Sequence, residues 1–382
     1  MSIYSKANDT YITRFSVMQK SKGLPKPSTC LFLSALFLQL TVSVSHAQWL
    51  KTTTLVNSRV VGDVLAMAVS GTDIFVGTET GGAFRSSDNG ISWVEVDSGL
   101  VWTKVGDRAY RKINTLAVIG SNVFAGTDSG SFRSSDRGVS WIRVSNGLLV
   151  PGAGTSVFCF AVNGADLFAG TDMGVFRTSD NGDIWTKVNG EIALTAVKAL
   201  SVSGTNLFAT TGRDVYRSGD KGGSWITVSS GIYNQGVQCF AVVGTTIFAG
   251  AYEGIFRSTD NGASWSSFST GLVVKNVQSI VVSGSNIFAG TANSGVFLST
   301  NNGTDAWVPV NNGLGVENRN FNALIVTATD LFTGISNNFH VWRRPLSEMV
   351  STTGILHRTA SEPRIILIPW NQKWKLTGQA RK

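Results

Sequence analysis

Five aspartates recur as carboxylates that could ligate a metal or transfer protons. Each follows a serine or threonine by two residues and precedes a glycine by two and a tryptophan by five: Asp88, Asp136, Asp180, Asp220 and Asp260, with Trp93, Trp141, Trp185, Trp225 and Trp265. A sixth copy has Asn301 in place of the aspartate and ends at Trp307. Calcium takes six or more oxygen ligands, whereas each copy supplies one carboxylate, so we expect no metal.

A structural role explains this motif better than a catalytic one. Serine and aspartate side chains can hydrogen-bond the backbone of a turn, and glycine supplies a positive φ. The tryptophan can then pack its ring beneath the hairpin. We therefore assign no catalytic residue to the motif.

A second set consists of arginines that occupy one position of successive repeats: Arg85, Arg133, Arg177, Arg217, Arg257 and Arg343. Leu298 interrupts the series. Three arginines that converge on a carboxylate could bind an acidic ligand. A residue that recurs in every copy is, however, expected to stabilise that copy, and we favour this structural interpretation.

A third set lies on loops that vary between copies. The short loops TETG, TDSG, TDMG and AYEG place acidic residues on one rim, which Arg213 interrupts: Glu79, Asp128, Asp172 and Glu253. Three further candidates for ligand contact, Trp102, Arg108 and Tyr110, lie on the longest loop. Tyr252, which directly precedes Glu253, is another. Charged and aromatic residues on variable loops are typical of ligand recognition. The alternative, that they are solvated loop tips, remains open.

Steps of 40 to 48 residues between the aspartates define the repeated unit that positions these groups. One unit, beginning at Val237, contains four short runs rich in β-branched and aromatic residues: CFAVV, IFAG, IFRST and SWSSF. Four strands in about forty residues, repeated radially, are typical of a β-propeller. The sequence therefore predicts an all-β fold, a β-propeller of four-stranded blades.

The two ends of the repeat region predict how the ring closes. Six full units are followed by a seventh, from Phe321, that contains three strands. The segment QWLKTTTL, from Gln48, offers a strand with no unit of its own. We expect this N-terminal strand to complete the last blade, because a closed ring leaves no free sheet edge. Seven blades is our interpretation, with six or eight still open.

The repeated motif resembles the Asp box, Ser/Thr-x-Asp-x-Gly-x-x-Trp, also called the bacterial neuraminidase repeat, over residues 49–345. Proteins with this repeat include sialidases, sortilin-type receptor domains and photosystem II assembly factors. The resemblance implies a propeller whose motifs lie on hairpins between third and fourth strands, away from the ligand face. For a sialidase-like enzyme it also implies three arginines, together with either a pair of catalytic carboxylates or a tyrosine nucleophile with an aspartic acid.

Two classes of function follow from these residues. The favoured one is an exported, non-enzymatic scaffold that binds a protein or a glycan through its loop face and needs no cofactor. The alternative is an exo-sialidase-like glycoside hydrolase, for which Tyr252 beside Glu253 is the best available pair. The binding scaffold is favoured because most arginines belong to the repeated column and the Arg-Ile-Pro sequence that opens sialidases is absent from the first unit.

The N-terminal residues 1–47 are predicted to be a signal peptide, because three lysines precede an apolar run at residues 31–44 that is too short to span a membrane. We expect the remainder to be exported to the cell surface, the periplasm or the medium. The propeller is predicted at residues 48–345. No function is assigned to the tail at residues 346–382.

Charge and cysteine content narrow the range of partners. The chain carries a formal net charge of +8, but acidic residues slightly outnumber basic ones between residues 48 and 342. A nucleic-acid partner is not expected, because the ring lacks a basic stripe.

Cys159 and Cys239 occupy one small-residue position of the repeat, two blades apart, and are expected to be buried and unpaired. We expect a monomeric ring without a transmembrane segment.

Overall fold

The computed structural model describes residues 48–52, 62–100, 103–105, 108–148, 155–190, 196–273, 275–315, 320–336 and 340–349. Of residues 103–105 and 108–110 it describes the backbone only. The predicted signal peptide, most of the predicted tail and Trp102 lie outside the described residues.

The described strands form seven antiparallel four-stranded sheets, which are the blades of a ring. Blades 1 to 6 each use four consecutive strands, which we call the innermost, second, third and outer strand. Blade 1 comprises Val64–Ser70, Asp73–Thr78, Ala83–Ser86 and Val94–Glu95. Blade 2 comprises Ile113–Ile119, Asn122–Thr127, Gly130–Ser134 and Ile142–Arg143. Blade 3 comprises Val157–Asn163, Asp166–Thr171, Gly174–Thr178 and Thr186–Lys187.

The same order continues through the second half of the ring. Blade 4 comprises Ala199–Ser203, Asn206–Thr210, Val215–Ser218 and Ile226–Thr227. Blade 5 comprises Val237–Val243, Thr246–Ala251, Gly254–Ser258 and Ser266–Ser267. Blade 6 comprises Val277–Ser283, Asn286–Thr291, Gly295–Ser299 and Val308–Pro309. Outside the blades, Thr103–Val105 pairs with Arg108–Tyr110, and a 3-10 turn covers Leu346–Glu348.

Blade 7 joins the two ends of the propeller. Its first three strands are Ala323–Val326, Asp330–Ile335 and His340–Pro345, and its outer strand is the N-terminal Leu50–Lys51. Leu50 pairs with Arg343 and Lys51 with Trp342. The prediction of seven four-stranded blades closed by the N-terminal strand is therefore confirmed.

The core lies between adjacent blades. Each second strand buries one phenylalanine completely: Phe75, Phe124, Phe168, Phe208, Phe248, Phe288 and Phe332. In five of the seven blades this ring faces the motif glycine of the next blade, where an added Cβ would lie 2.6–3.2 Å from a ring carbon, as at Gly138 against Phe75. The glycine is therefore needed for close approach as well as for its φ of 86°.

The column of small residues on the innermost strands allows neighbouring blades to approach closely. Cys159 pairs with Gly170, and an added Cβ on that glycine would lie 2.4 Å from the Cys159 sulfur and 2.8 Å from Val197 of the next blade. Ser279 donates a hydrogen bond to the Phe321 carbonyl of the next blade, at 2.8 Å. Larger side chains would force the blades apart at the axis.

Candidate functional site

The antiparallel order of the strands gives the ring two faces. The motif face carries the hairpins between innermost and second strands and the Asp-motif turns between third and outer strands. The loop face carries the turns between second and third strands and the segments that lead from one blade to the next. The repeated and the variable residue sets are therefore separated by the fold.

Each of the five Asp-motif turns is held by its own side chains. In blade 2, Ser134 donates to Asp136 at 2.7 Å, and the Gly138 amide donates to Ser134 Oγ at 2.7 Å. The backbone amide and hydroxyl of Ser140 donate to the two Asp136 carboxylate oxygens at 2.9 and 2.6 Å. The aspartate thus connects the first and last residues of the turn by hydrogen bonds. This arrangement agrees with a structural role for the motif.

The sixth turn, in blade 6, reaches a related arrangement with different residues. Asn301 takes the motif position with a φ of 53° and donates to Asp305 Oδ2 at 2.6 Å. Thr300 also donates to this carboxylate. The carboxylate of Asp305, four residues after Asn301, therefore replaces that of the missing motif aspartate.

These hydrogen bonds favour the ionised aspartates. Those from the Ser140 hydroxyl and amide lower the pKa of Asp136 to about 2, and those from Ser264 do the same for Asp260. The backbone and hydroxyl of Ser224 lower the pKa of Asp220 to about 2. At Asp88 burial raises the pKa, but hydrogen bonds from Ser92 and Ser86 outweigh it and bring the value to about 2. The pKa of Asp180 is lowered by hydrogen bonds from Thr178 and Ile184.

Acid is expected to weaken the ring through these turns. Because the folded-state pKa values lie below the ordinary 3.8, the stabilisation is complete above about pH 4 and is lost as the pH falls from 3.8 towards 2. Thermal unfolding followed by circular dichroism should show the midpoint falling over this interval. Asp260→Asn should reduce the fall, because the motif turn of blade 5 then has no carboxylate to protonate. A variant with the same pH dependence as the parent would contradict this account.

The motif tryptophans connect each blade to the preceding one. The Trp185 indole donates to the Val144 carbonyl at 2.8 Å, and Trp265 donates to Val228 at 2.9 Å. Equivalent bonds to carbonyls of the preceding blade are made by Trp141, Trp225 and Trp307. At the seam Trp93 donates to the Thr52 hydroxyl at 3.3 Å. The tryptophans therefore lie under their hairpins and also fix the distance between blades.

The repeated arginines also link blades, on the motif face. Arg85 donates to the Arg137 carbonyl of the next blade at 2.8 Å, and Arg217 donates to Asn261 at 2.8 Å. Arg133 and Arg343 make the corresponding bonds to Asn181 and Asn89. Arg177 instead pairs with Asp166. In this arrangement the column forms no group of converging arginines.

No cluster of three or more histidine, cysteine, aspartate or glutamate side chains suited to a metal ion occurs among the described residues. The two cysteines of the described ranges are free, and burial raises the pKa of each thiol to about 12. Both therefore remain protonated thiols at neutral pH.

The acidic residues predicted for the ligand face lie on turns of the loop face in four different blades. Glu79 and Glu253 are exposed. Asp128 is held by the Asn114 amide at 2.8 Å and by the Lys112 ammonium at 3.8 Å. Asp172 is partly buried, and its Oδ1 has no hydrogen-bond partner among the described residues. The structure thus places these carboxylates on one face but gives each a different environment.

Arg213 and Tyr252 lie on loop-face turns of blades 4 and 5, and both turns bond the segment that joins these blades. The Arg213 Nε donates to the Tyr233 hydroxyl at 2.6 Å, and its guanidinium carbon lies 5.1 Å from the ring centroid. The Tyr252 amide donates to the Gln235 carbonyl at 3.2 Å. Tyr233 and Tyr252 are 48% and 54% exposed. Nothing in the sequence indicates that Arg213 bonds Tyr233.

The longest interblade segment forms the hairpin Thr103–Val105 and Arg108–Tyr110 on the loop face. Arg111 anchors it to blade 1, because its backbone bonds Thr80 and Gly82 and its guanidinium pairs with Asp97. The side chains of Arg108 and Tyr110 lie outside the description, so their predicted role stays a prediction.

One group of loop-face residues was missed by sequence reasoning. A β-bulge recurs near the start of five innermost strands, for example between Val237 and Cys239. In these five blades the inserted residues are Leu65, Asn114, Phe158, Gln238 and Gln278. By sequence position, Lys198 and Asn322 correspond to them in blades 4 and 7. Polar residues directly before the small-residue column could have revealed them, because the start of a buried strand is normally apolar.

The fold and its two faces define the chain as a seven-bladed β-propeller. No family model and no curated protein matches it. Among solved structures it is similar to "YCF48 bound to D1 peptide" (TM-score 0.59, 15% identity, 80% of this chain and 98% of that chain). It is also similar to YCF48 from Cyanidioschyzon merolae (0.58, 12%, 78% and 99%).

A bacterial structure shares the same architecture. The extracellular domain of the putative hybrid two component system BT4673 from B. thetaiotaomicron matches with a TM-score of 0.59 and 13% identity, over 78% of this chain and 40% of that chain. At these identities the likenesses concern the fold alone. Within the described ranges, no helix is long and apolar enough to cross a membrane.

Proposed function

We propose that the chain is an exported, non-enzymatic member of the Asp-box propeller group that binds a protein or a glycan through its loop face. The observation that carries this proposal is the division between the faces. The repeated aspartates, tryptophans and arginines bond within or between blades on the motif face. The exposed residues that depart from the repeat, such as Tyr252 and Glu253, gather on the loop face.

The structural neighbours support the choice of a binding scaffold. One of them is a propeller bound to a peptide, which gives an example of this architecture with a polypeptide ligand. We extend the proposal to the rest of the chain as follows: residues 1–47 direct export and residues 48–345 form a monomeric ring, while no function is assigned to residues 346–382. The mature protein then acts at the cell surface, in the periplasm or in the medium.

The alternative, an exo-sialidase-like hydrolase, finds less support in the geometry. Such an enzyme needs a nucleophile and an acid on the ligand face, together with arginines that hold a carboxylate. Tyr252 and Glu253 do lie on the loop face, but the repeated arginines are engaged on the opposite face. Arg213 of the loop face bonds Tyr233.

Binding and hydrolysis can be measured on one preparation of the full chain. A glycan array and a displayed peptide library are the probes, and we expect a ligand whose capture is lost in Arg213→Ala and Tyr252→Ala and kept in Val139→Ala, a 61% exposed residue of the motif face. The same preparation should release no 4-methylumbelliferone from its sialoside or hexosides above a blank. Release that disappears in Tyr252→Phe would establish the hydrolase instead.

A further inference from the structure

A platform on the loop face of blades 4 and 5 has the composition of a sugar site. Tyr252 is seated on Gly236, where an added Cβ would lie 2.2 Å from ring carbon Cδ2. The ring therefore lies against the Gly236 backbone, while 54% of the residue is exposed. A half-covered aromatic ring of this kind is a stacking surface.

The surrounding backbone holds this surface in place. The Asn234 amide donates to the Arg213 carbonyl at 2.7 Å, and the Tyr252 amide donates to Gln235 at 3.2 Å. The turns of blades 4 and 5 are thus both bonded to the segment that joins these blades. Arg213 fixes the second ring, Tyr233, through its hydroxyl. The two rings are therefore ordered before a ligand arrives, which lowers the entropy cost of binding.

Two polar residues accompany Tyr252 on this face. Gln238, the bulge residue of blade 5, donates from its amide to the Gly236 carbonyl at 3.1 Å. Its amide oxygen accepts no hydrogen bond from the described residues. Glu253 directly follows Tyr252 in the chain and is exposed. An amide oxygen and a carboxylate are acceptors for hydroxyl groups.

Among the residues that the structure describes, the exposed apolar surface of the loop face is small. A stable protein interface buries about 1,600 Å² around an apolar core. Eleven large hydrophobic residues of the described chain are exposed, but only Tyr233, Tyr252 and Val273 belong to the loop face. The exposed Tyr252 ring, with the acceptors Gln238 and Glu253 on neighbouring residues, instead matches a ligand that has an apolar C–H face and a rim of hydroxyl groups.

We propose that Tyr233, Tyr252, Gln238 and Glu253 bind a neutral oligosaccharide, whose C–H face stacks on Tyr252 and whose hydroxyl groups donate to Gln238 and Glu253. This inference rests on the proposed function, since it names the ligand class of the loop face. A neutral ligand is favoured because the platform combines the acidic Glu253 with the basic Arg213, which is already bonded to Tyr233.

The test uses the full chain on an array of neutral oligosaccharides built from glucose, mannose, galactose and N-acetylglucosamine, followed by calorimetry with any oligosaccharide captured. Tyr252→Ala should weaken binding about tenfold or more, whereas Tyr252→Phe, which keeps the ring, should stay within about threefold. Val139→Ala should bind like the parent, and all variants should unfold at the parent temperature.

The possible failures are distinguishable. If no neutral oligosaccharide binds, the sugar inference is overturned. A peptide ligand lost in Tyr252→Ala would then leave the loop-face function standing. Oligosaccharide binding that persists in both Tyr252→Ala and Gln238→Ala would also overturn the proposed platform. If neither a peptide nor an oligosaccharide loses affinity in the loop-face variants, the proposed function is wrong as well.

Discussion

Deleting residues 48–52 is expected to open the ring and lower its unfolding temperature more than any single substitution. These residues supply the outer strand of blade 7, and Trp49 is 2% exposed. The Trp49 indole donates to the Val310 carbonyl at 2.6 Å, and the Thr52 hydroxyl donates to Val341 at 2.9 Å. The deletion would leave His340–Pro345 as a free sheet edge, which promotes association between chains.

Point variants keep this prediction measurable if the deleted chain does not fold. Trp49→Ala should cost about 3–5 kcal/mol of unfolding free energy, because it removes a buried ring that bridges blades 6 and 7. Lys51→Ala, at an exposed position of the same strand, is the matched control. Thermal unfolding and size-exclusion chromatography would report the opening. An unfolding midpoint unchanged by both the deletion and Trp49→Ala would refute closure by this strand.

Trp185→Ala is expected to produce the second large loss, again about 3–5 kcal/mol. The Trp185 ring is 2% exposed within the cluster between blades 2 and 3, beside Phe124 and Val144. Trp185→Phe keeps most of the packing and loses the bond to the Val144 carbonyl, so it should cost less, about 1–3 kcal/mol. Urea unfolding of the two variants and of the exposed control Thr186→Ala would separate packing from hydrogen bonding. Equal stability of Trp185→Ala and Thr186→Ala would argue against a structural role for the motif tryptophan.

The repeat made the blades predictable, because each blade contains its own hairpins, glycines and buried phenylalanine. Closure was predictable from the unmatched strand at Gln48. The sequence alone did not reveal that Trp49 occupies the position of a motif tryptophan. That correspondence depends on its bond to Val310, which is 261 residues away in the chain.

The sequence did not allow the contacts between blades or around the axis to be predicted. The arginine column was assigned a structural role, but the partners of Arg85, Arg133, Arg217 and Arg343 are carbonyls of the next blade, and no sequence pattern identifies them. The bond between Arg213 and Tyr233 and the bulge at Gln238 were also not predictable, because they depend on the arrangement of turns from two neighbouring blades. Such contacts follow from the curvature of the ring.

Two substitutions in one blade test most directly the claim that one face stabilises the ring and the other binds. Asp260 fastens the motif turn of blade 5, and Tyr252 lies on its loop-face turn. Unfolding temperature and ligand affinity would be measured for Asp260→Ala and Tyr252→Ala. We predict that Asp260→Ala unfolds at a lower temperature and binds normally at 20 °C, whereas Tyr252→Ala unfolds like the parent and binds weakly. Loss of affinity in Asp260→Ala together with normal affinity in Tyr252→Ala would contradict the account.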